Sequence, residues 1–139
     1  MIDFNYELEF TLDDEAVYAS WLTKVIESEN KKLGEINYIF CDDEYLLAIN
    51  VEYLNHDILT DIISFYYLLF FFFFCYIFIS IERVRDNAND FNVSFNEELK
   101  RVMVHGILHY CGYKDKSESD ELIMRQKEDE KIQLFHVEQ

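Results

Sequence analysis

Two histidines four residues apart, His105 and His109, lie in the stretch MVHGILHYCGYKD, which closes on Gly112, Tyr113 and Asp115. On a helix this spacing stacks both imidazoles on one face, where they can present two nitrogens to a single ion. A chain that turns back after Gly112 can add the Asp115 carboxylate, and two histidines, a carboxylate and an open position make a catalytic zinc site. Zinc held there lowers the pKa of its water to about 7 and supplies hydroxide at neutral pH. The glutamate of His-Glu-x-x-His is missing because Gly106 stands in its place, so the zinc-protease mechanism with that base is not indicated. The same two residues also suit an amphipathic helix whose histidines need only a carbonyl or a water. Spacing alone does not choose between these.

The elements that must position the histidines follow from hydrophobic periodicity. Ser94 and Glu97 form a Ser-x-x-Glu capping box that opens a helix, and Leu99, Val102, Met103, Val104, Ile107, Leu108 and Cys111 supply its apolar content until Gly112 stops it. Ile2 to Phe10 alternates apolar and polar residues as a half-buried strand does. A helix follows with Val17, Trp21, Leu22, Val25 and Ile26 at helical spacing and Gly34 as its stop, with Trp21 expected in the core. Residues 35–40 read as a buried strand. Residues 42–55 read as a helix capped by Asp42, with Leu46, Leu47, Ile49 and Val51 as its apolar positions. A short helix carrying Arg83 and Arg85 precedes Ser94, and a last helix runs from near Ser117 to about Phe135. The expectation is an α+β fold, one domain over residues 1–139, with a small mixed sheet of about four strands packed with about five helices. The histidine helix would then act as a metalloprotease-like (zincin-like) catalytic helix.

From Phe65 through Ile79 the chain carries no polar side chain except tyrosine hydroxyls. A membrane helix wants about 20 apolar residues, but aromatic and β-branched residues favour strands. Two strands packed near one another are expected, and no membrane partner. The chain carries 28 acidic against 12 basic residues, a formal charge of −16, which works against docking on bare phosphate or an anionic membrane. Hydrophobic residues at 50% exclude a disordered chain. Cys41, Cys75 and Cys111 are odd in number and widely spaced, as expected of reduced thiols in a cytoplasmic protein. His56 and His136 stand alone and read as ordinary polar side chains.

The string HGILHYCGYKD resembles the His-Gly-x-Leu-His-x-x-Gly-Tyr-Asp-His signature of the YbeY family of bacterial rRNA maturation factors. The resemblance extends upstream to NVEYLNHDILTDIISF and downstream to the acidic last helix around Met124 and Glu128. It implies a zinc-dependent, single-strand-specific endoribonuclease, a hydrolase of RNA phosphodiester bonds that takes part in 16S rRNA 3′-end maturation and ribosome quality control. It also implies one Zn2+ per chain, with small-subunit ribosomal proteins or an assembly GTPase as partners beside single-stranded rRNA. Carried over, His105 and His109 are the first two metal ligands, and the third, a histidine in the usual motif, falls on Asp115. Lys114 stands where the motif has aspartate, and Leu54 where an arginine commonly follows the motif's tyrosine. Arg83, Arg85 or Lys114 would then have to supply the missing contact to phosphate, with Arg83, Arg85, Lys100 and Arg101 as the clustered cations near the site, residues that equally suit a solvated helix face. Cys75 and Tyr76 occupy the family's Gly-Asp positions, and Leu68 to Phe74 replace a polar loop, an exposed apolar patch in prospect. The alternative function is a ribosome-assembly factor in which the metal is structural and no bond is cleaved.

Overall fold

The computed structural model describes residues 1–54, 60–69 and 72–137. In chain order the elements are β1 (Ile2–Tyr6), α1 (Glu15–Ser28), β2 (Glu35–Cys41), α2 (Asp43–Leu54), β3 (Ile62–Leu69), β4 (Phe72–Ser80), α3 (Ile81–Phe91), α4 (Phe95–Tyr110) and α5 (Glu118–Val137). The sheet runs β1-β2-β4-β3, parallel across β1, β2 and β4, with β3 antiparallel at the edge. The expected mixed sheet of four strands packed with five helices is present, and the phenylalanine-rich run forms β3 and β4. No helix among the described residues is long and apolar enough to cross a membrane.

The unbroken apolarity of β4 from Ile77 to Ile79 follows from its place inside the sheet with helices on both faces, the condition under which a strand loses its polar alternation, whereas Phe72, Phe73 and Tyr76 nearer its start are exposed. On one face Ile36, Tyr38, Phe40, Cys75, Ile77 and Ile79 meet α1, α4 and α5 in one buried cluster with Trp21 and Met103. On the other, Ile63, Phe65 and Phe78 meet Leu46 and Ile49 of α2. Two polar ties cross the larger cluster: the Tyr38 hydroxyl donates to the Met103 carbonyl at 2.8 Å, and the Trp21 indole donates to the Lys131 carbonyl at 2.7 Å. The first fixes β2 against α4, the helix that carries the histidines.

Three local expectations are corrected. The first strand ends at Tyr6, not Phe10, because its ladder partner runs out: Tyr6 pairs with Phe40, and the chain enters α2 two residues after Cys41. Leu8 and Phe10 still pack on the core. Helix α1 stops at Ser28, with Asn30 in the left-handed region at φ 59°. Gly34 serves instead as a close-approach point, where a Cβ would run into the Phe73 carbonyl of β4. In α2, Asp42 caps as expected by accepting from the Tyr45 amide at 2.8 Å, but Val51 is exposed and Asn50 is buried. His56 lies outside the described residues, as does the side chain of His136.

Candidate metal centre

Helix α4 opens where the capping box places it, with the Ser94 hydroxyl accepting from the Glu97 amide at 3.1 Å. It closes on a paired turn in which the Gly112 amide donates to the His109 carbonyl (2.9 Å) and the Tyr113 amide to the Leu108 carbonyl (3.0 Å). Gly112 takes φ 107°, which L side chains rarely adopt, and this reversal swings residues 113–115 back along the helix. Gly106 faces the sheet, where a Cβ would stand 3.1 Å from Ile77 Cδ1 and 3.2 Å from Ile62 Cδ1. Its lack of a side chain lets α4 lie close on β3 and β4.

The turn brings three ligand-type atoms together. His105 Nε2 and His109 Nε2 are 3.0 Å apart, and Asp115 Oδ2 lies 3.3 and 3.2 Å from them. A tetrahedral ion with bonds of about 2.0–2.2 Å spaces its ligand atoms roughly 3.3–3.6 Å apart, so the triangle is close to the size that such an ion needs. The outer nitrogens settle what the inner ones offer. His109 Nδ1 faces the Tyr113 carbonyl at 2.8 Å, and a carbonyl can only accept, so Nδ1 carries the proton and Nε2 presents a lone pair. His105 Nδ1 faces Glu128 Oε2 at 2.7 Å, the same arrangement with a carboxylate. With both imidazoles neutral, two Nε2 lone pairs and a carboxylate oxygen converge, a donor set that fits a cation.

Glu128 comes from α5, is buried, and is held by Arg101 at 3.0 Å and Arg125 at 3.6 Å. Arg101 also reaches Asp129 at 2.8 Å. Burial disfavours a charged His105, yet the hydrogen bond and charge of Glu128, followed by Asp115 and Asp61, outweigh it and raise the imidazole above its ordinary pKa. The group opens into a cavity of ≈ 730 Å³ that reaches Asp61, Glu98, Arg101 and Arg125. Burial raises the carboxyls of Asp61 and Glu98 above their ordinary values.

Leu54, at the position where the family pattern has arginine, lines the same cavity, but Arg83, Arg85 and Lys114 do not. Arg83 is drawn to Asp43 and Asp86, and Arg85 lies over the Phe95 ring at 5.0 Å. Lys114 is exposed in the turn beside Asp115. The cations at the cavity are Arg101 and Arg125, and Arg125 was not singled out from the sequence. Glu128 was noted only as part of an acidic helix. Its signal was its place four residues after buried Met124 and four before buried Ile132, a carboxylate on the helix's buried stripe. All three cysteines are buried free thiols, and burial pushes Cys75 up to about 12 and Cys111 to about 11, as suits reduced, unreactive side chains.

Comparison with known proteins gives a consistent pattern. The family model described as Endoribonuclease YbeY matches residues 4–136. A relative named Endoribonuclease YbeY from Flavobacterium johnsoniae is 69% identical over 139 residues, 100% of both chains. Another of that name from Flavobacterium psychrophilum is 66% identical over 139 residues, 100% of this chain and 99% of the relative. Among solved structures, the solution structure of TM1509 from Thermotoga maritima superposes with a TM-score of 0.66 at 21% identity, covering 97% of this chain and 89% of that one. That likeness is one of fold.

Proposed function

The chain belongs to the family of endoribonuclease YbeY, and from that membership we propose that it hydrolyses single-stranded RNA at a zinc centre held by His105, His109 and Asp115. The observation that carries the assignment of the centre is the convergence of three acceptor atoms within 3.0–3.3 Å, with both outer imidazole nitrogens already committed to Glu128 and the Tyr113 carbonyl. Zinc bound there would polarise a phosphoryl oxygen and acidify a water. The chain's own part is to keep both Nδ1 protons in place and to hold the imidazoles rigid through Glu128 and its two arginines. Hydrolysis forms one P–O bond to the water oxygen and breaks the one to the leaving ribose oxygen, which takes up a proton. The carboxylate of Asp115, in the place of a neutral imidazole, would donate charge to such an ion and weaken the acidification of its water.

The substrate of this reading is the 3′ end of 16S rRNA, and its setting is cytoplasmic. A chain of formal charge −16 does not hold RNA by its overall field, so small-subunit proteins or an assembly GTPase would bring substrate and enzyme together. The non-catalytic alternative draws on two changed positions, Asp115 and Leu54. Incubation of purified protein with single-stranded and duplex RNA separates the two readings. Cleavage of the single strand, abolished by chelator and reduced about 10³-fold or more by His109→Ala, is expected, since a Lewis acid supplies several kcal/mol and each 1.36 kcal/mol is tenfold. Tight zinc binding without cleavage would select the assembly factor. Metal analysis of Asp115→Ala tests the third ligand, and an unchanged stoichiometry and affinity would remove it.

A further inference from the structure

Past His109 the wall of the metal centre continues into a second groove, between the connection after α1 and the β3–β4 hairpin. It encloses ≈ 350 Å³, at the small end of the range for ligand clefts, about 300–1,000 Å³. It shares His109 and Tyr66 with the larger cavity, so the two are continuous. Three aromatic rings make its floor. Tyr110 lies 6.4 Å from Tyr66 and 6.3 Å from Phe73, ring centre to ring centre, and Tyr66 and Phe73 are 45% and 48% exposed. Both tyrosines are pinned. The Tyr110 hydroxyl donates to the Lys32 carbonyl at 2.8 Å and accepts from the Gly34 amide at 3.2 Å, and the Tyr66 hydroxyl donates to the Gly106 carbonyl at 3.3 Å. Their faces are set before any ligand arrives, so little side-chain freedom remains to be lost on binding.

We propose that this groove is a subsite for one unpaired nucleobase of the RNA substrate, stacked on the exposed Phe73 ring with Tyr110, which stands at 83° to it, and Tyr66 against the base's edge, and with Lys31 and Lys32 on the adjoining phosphates. The proposal rests on the endoribonuclease reading and adds to it where the strand lies. Charge selects the occupant. Arg83, Arg101, Arg125, Lys127 and Lys131 are answered by carboxylates. Lys31 and Lys32 line the groove, and among the described residues neither has an ion pair or a ring contact. Aromatic platforms beside unpaired cations suit a single strand, whose bases have free faces. A duplex base has none. The subsite would thereby help the centre discriminate single-stranded from paired RNA, without a positive field over the whole protein.

The test uses the full chain loaded with zinc and a fluorescein-labelled 2′-O-methyl phosphorothioate oligouridylate, which resists attack at phosphorus, with binding read by anisotropy. Phe73→Ser should weaken binding about 5-fold or more, the loss expected for one stacking surface. Phe73→Tyr, which keeps a ring, should retain it. Lys31→Ala with Lys32→Ala should lower the slope of log affinity against log salt by about 1.4, at about 0.7 per phosphate contact on a single strand. In cleavage assays the loss should fall on KM. Unchanged affinity and KM in both variants, with cleavage intact, would overturn the subsite and leave the endoribonuclease reading standing. Affinity lost in the variants of a protein that cleaves nothing would support the subsite while that reading fell. A wild type that binds no oligouridylate, or a Phe73→Ser whose only change is in sedimentation or in binding to anionic vesicles, would overturn the proposal in favour of self-association or a lipid surface.

Discussion

Helix α4 serves two regions that are stabilised in opposite ways. On its His105 and His109 face, position is set by directional pairs: imidazole to Glu128, imidazole to the Tyr113 carbonyl, Glu128 to Arg101. Among the described residues no buried side-chain nitrogen or oxygen there or elsewhere lacks a partner. Among the described residues the far end of the β3–β4 hairpin shows no such side-chain pairs. Tyr67, Leu68 and Phe72 are 55%, 63% and 66% exposed, although Ile77 and Ile79 further along β4 are fully buried. The outer ends of β3 and β4 inherit their place from the base of the two strands, through the register Ile63 to Phe78 and Phe65 to Tyr76. A region held by directional pairs should respond to a change of one atom, whereas a region held by inheritance should tolerate truncation.

The sharpest break of that contrast is Glu128→Gln. The amide keeps the size and an acceptor oxygen but removes the charge that orients His105 Nδ1 and answers two arginines. Partners of this kind are worth about 10–100-fold in metal affinity, and calorimetric titration with zinc should read a loss in that range. An affinity within about twofold of wild type would take Glu128 out of the centre. Next comes Gly34→Ala, which tests the seam between the regions. Because the Phe73 backbone itself blocks a Cβ there, the substitution must displace β4, and overpacking of this kind costs about 1–3 kcal/mol in denaturant unfolding. An unchanged midpoint would mean that the hairpin yields freely.

The directional region was also the more legible one in the sequence, but only where its contacts are local. The histidine spacing, the Ser94 cap and the Gly112 stop lie within one helix and its two ends, and periodicity with capping chemistry places them. Glu128 lies on another helix, 23 residues from His105, and meets Arg101, one turn before His105 on α4, only because α5 packs on α4. Such contacts depend on tertiary packing, which residue spacing does not encode. The strands were legible as strands from β-branched and aromatic content, while the end of β1 depended on where its partner stopped. Gly34 looked like a helix stop because a glycine after a helix often is one. Its use as a contact point for β4 requires knowing that β4 runs beside it.

A smaller effect belongs to the ring of charges behind the centre. Glu29 meets Lys131 at 2.8 Å, Lys127 at 3.2 Å and the donating Tyr113 hydroxyl at 2.6 Å. Burial alone would raise this carboxyl, but the hydrogen bonds from Lys131, Tyr113 and Lys127 outweigh it and lower it from 4.5 to about 2. A carboxyl lowered in the folded state contributes stability that is present above its unfolded value and lost as pH falls toward the folded one. Wild type should therefore lose stability between about pH 4.5 and 2 more steeply than Glu29→Gln does, with thermal unfolding as the readout. Parallel acid limbs would dissolve the link between this cluster and the Tyr113 turn that holds His109.

The smallest effect is expected at the tip, and it decides whether inheritance is the right description. Phe72 is 66% exposed and faces Leu69 across the hairpin. Little apolar area returns to water when it is removed, and substitutions of exposed residues away from caps and buried pairs fall within about 0.5 kcal/mol of neutral. Phe72→Ser should leave the unfolding free energy within that range and zinc affinity unchanged, while lowering concentration-dependent association by breaking an exposed apolar patch. A cost above about 1 kcal/mol, beyond that neutral range, would mean that the tip's side chains help hold the strands in register. The hairpin would then be a second region fixed by its own contacts, as the histidine wall is.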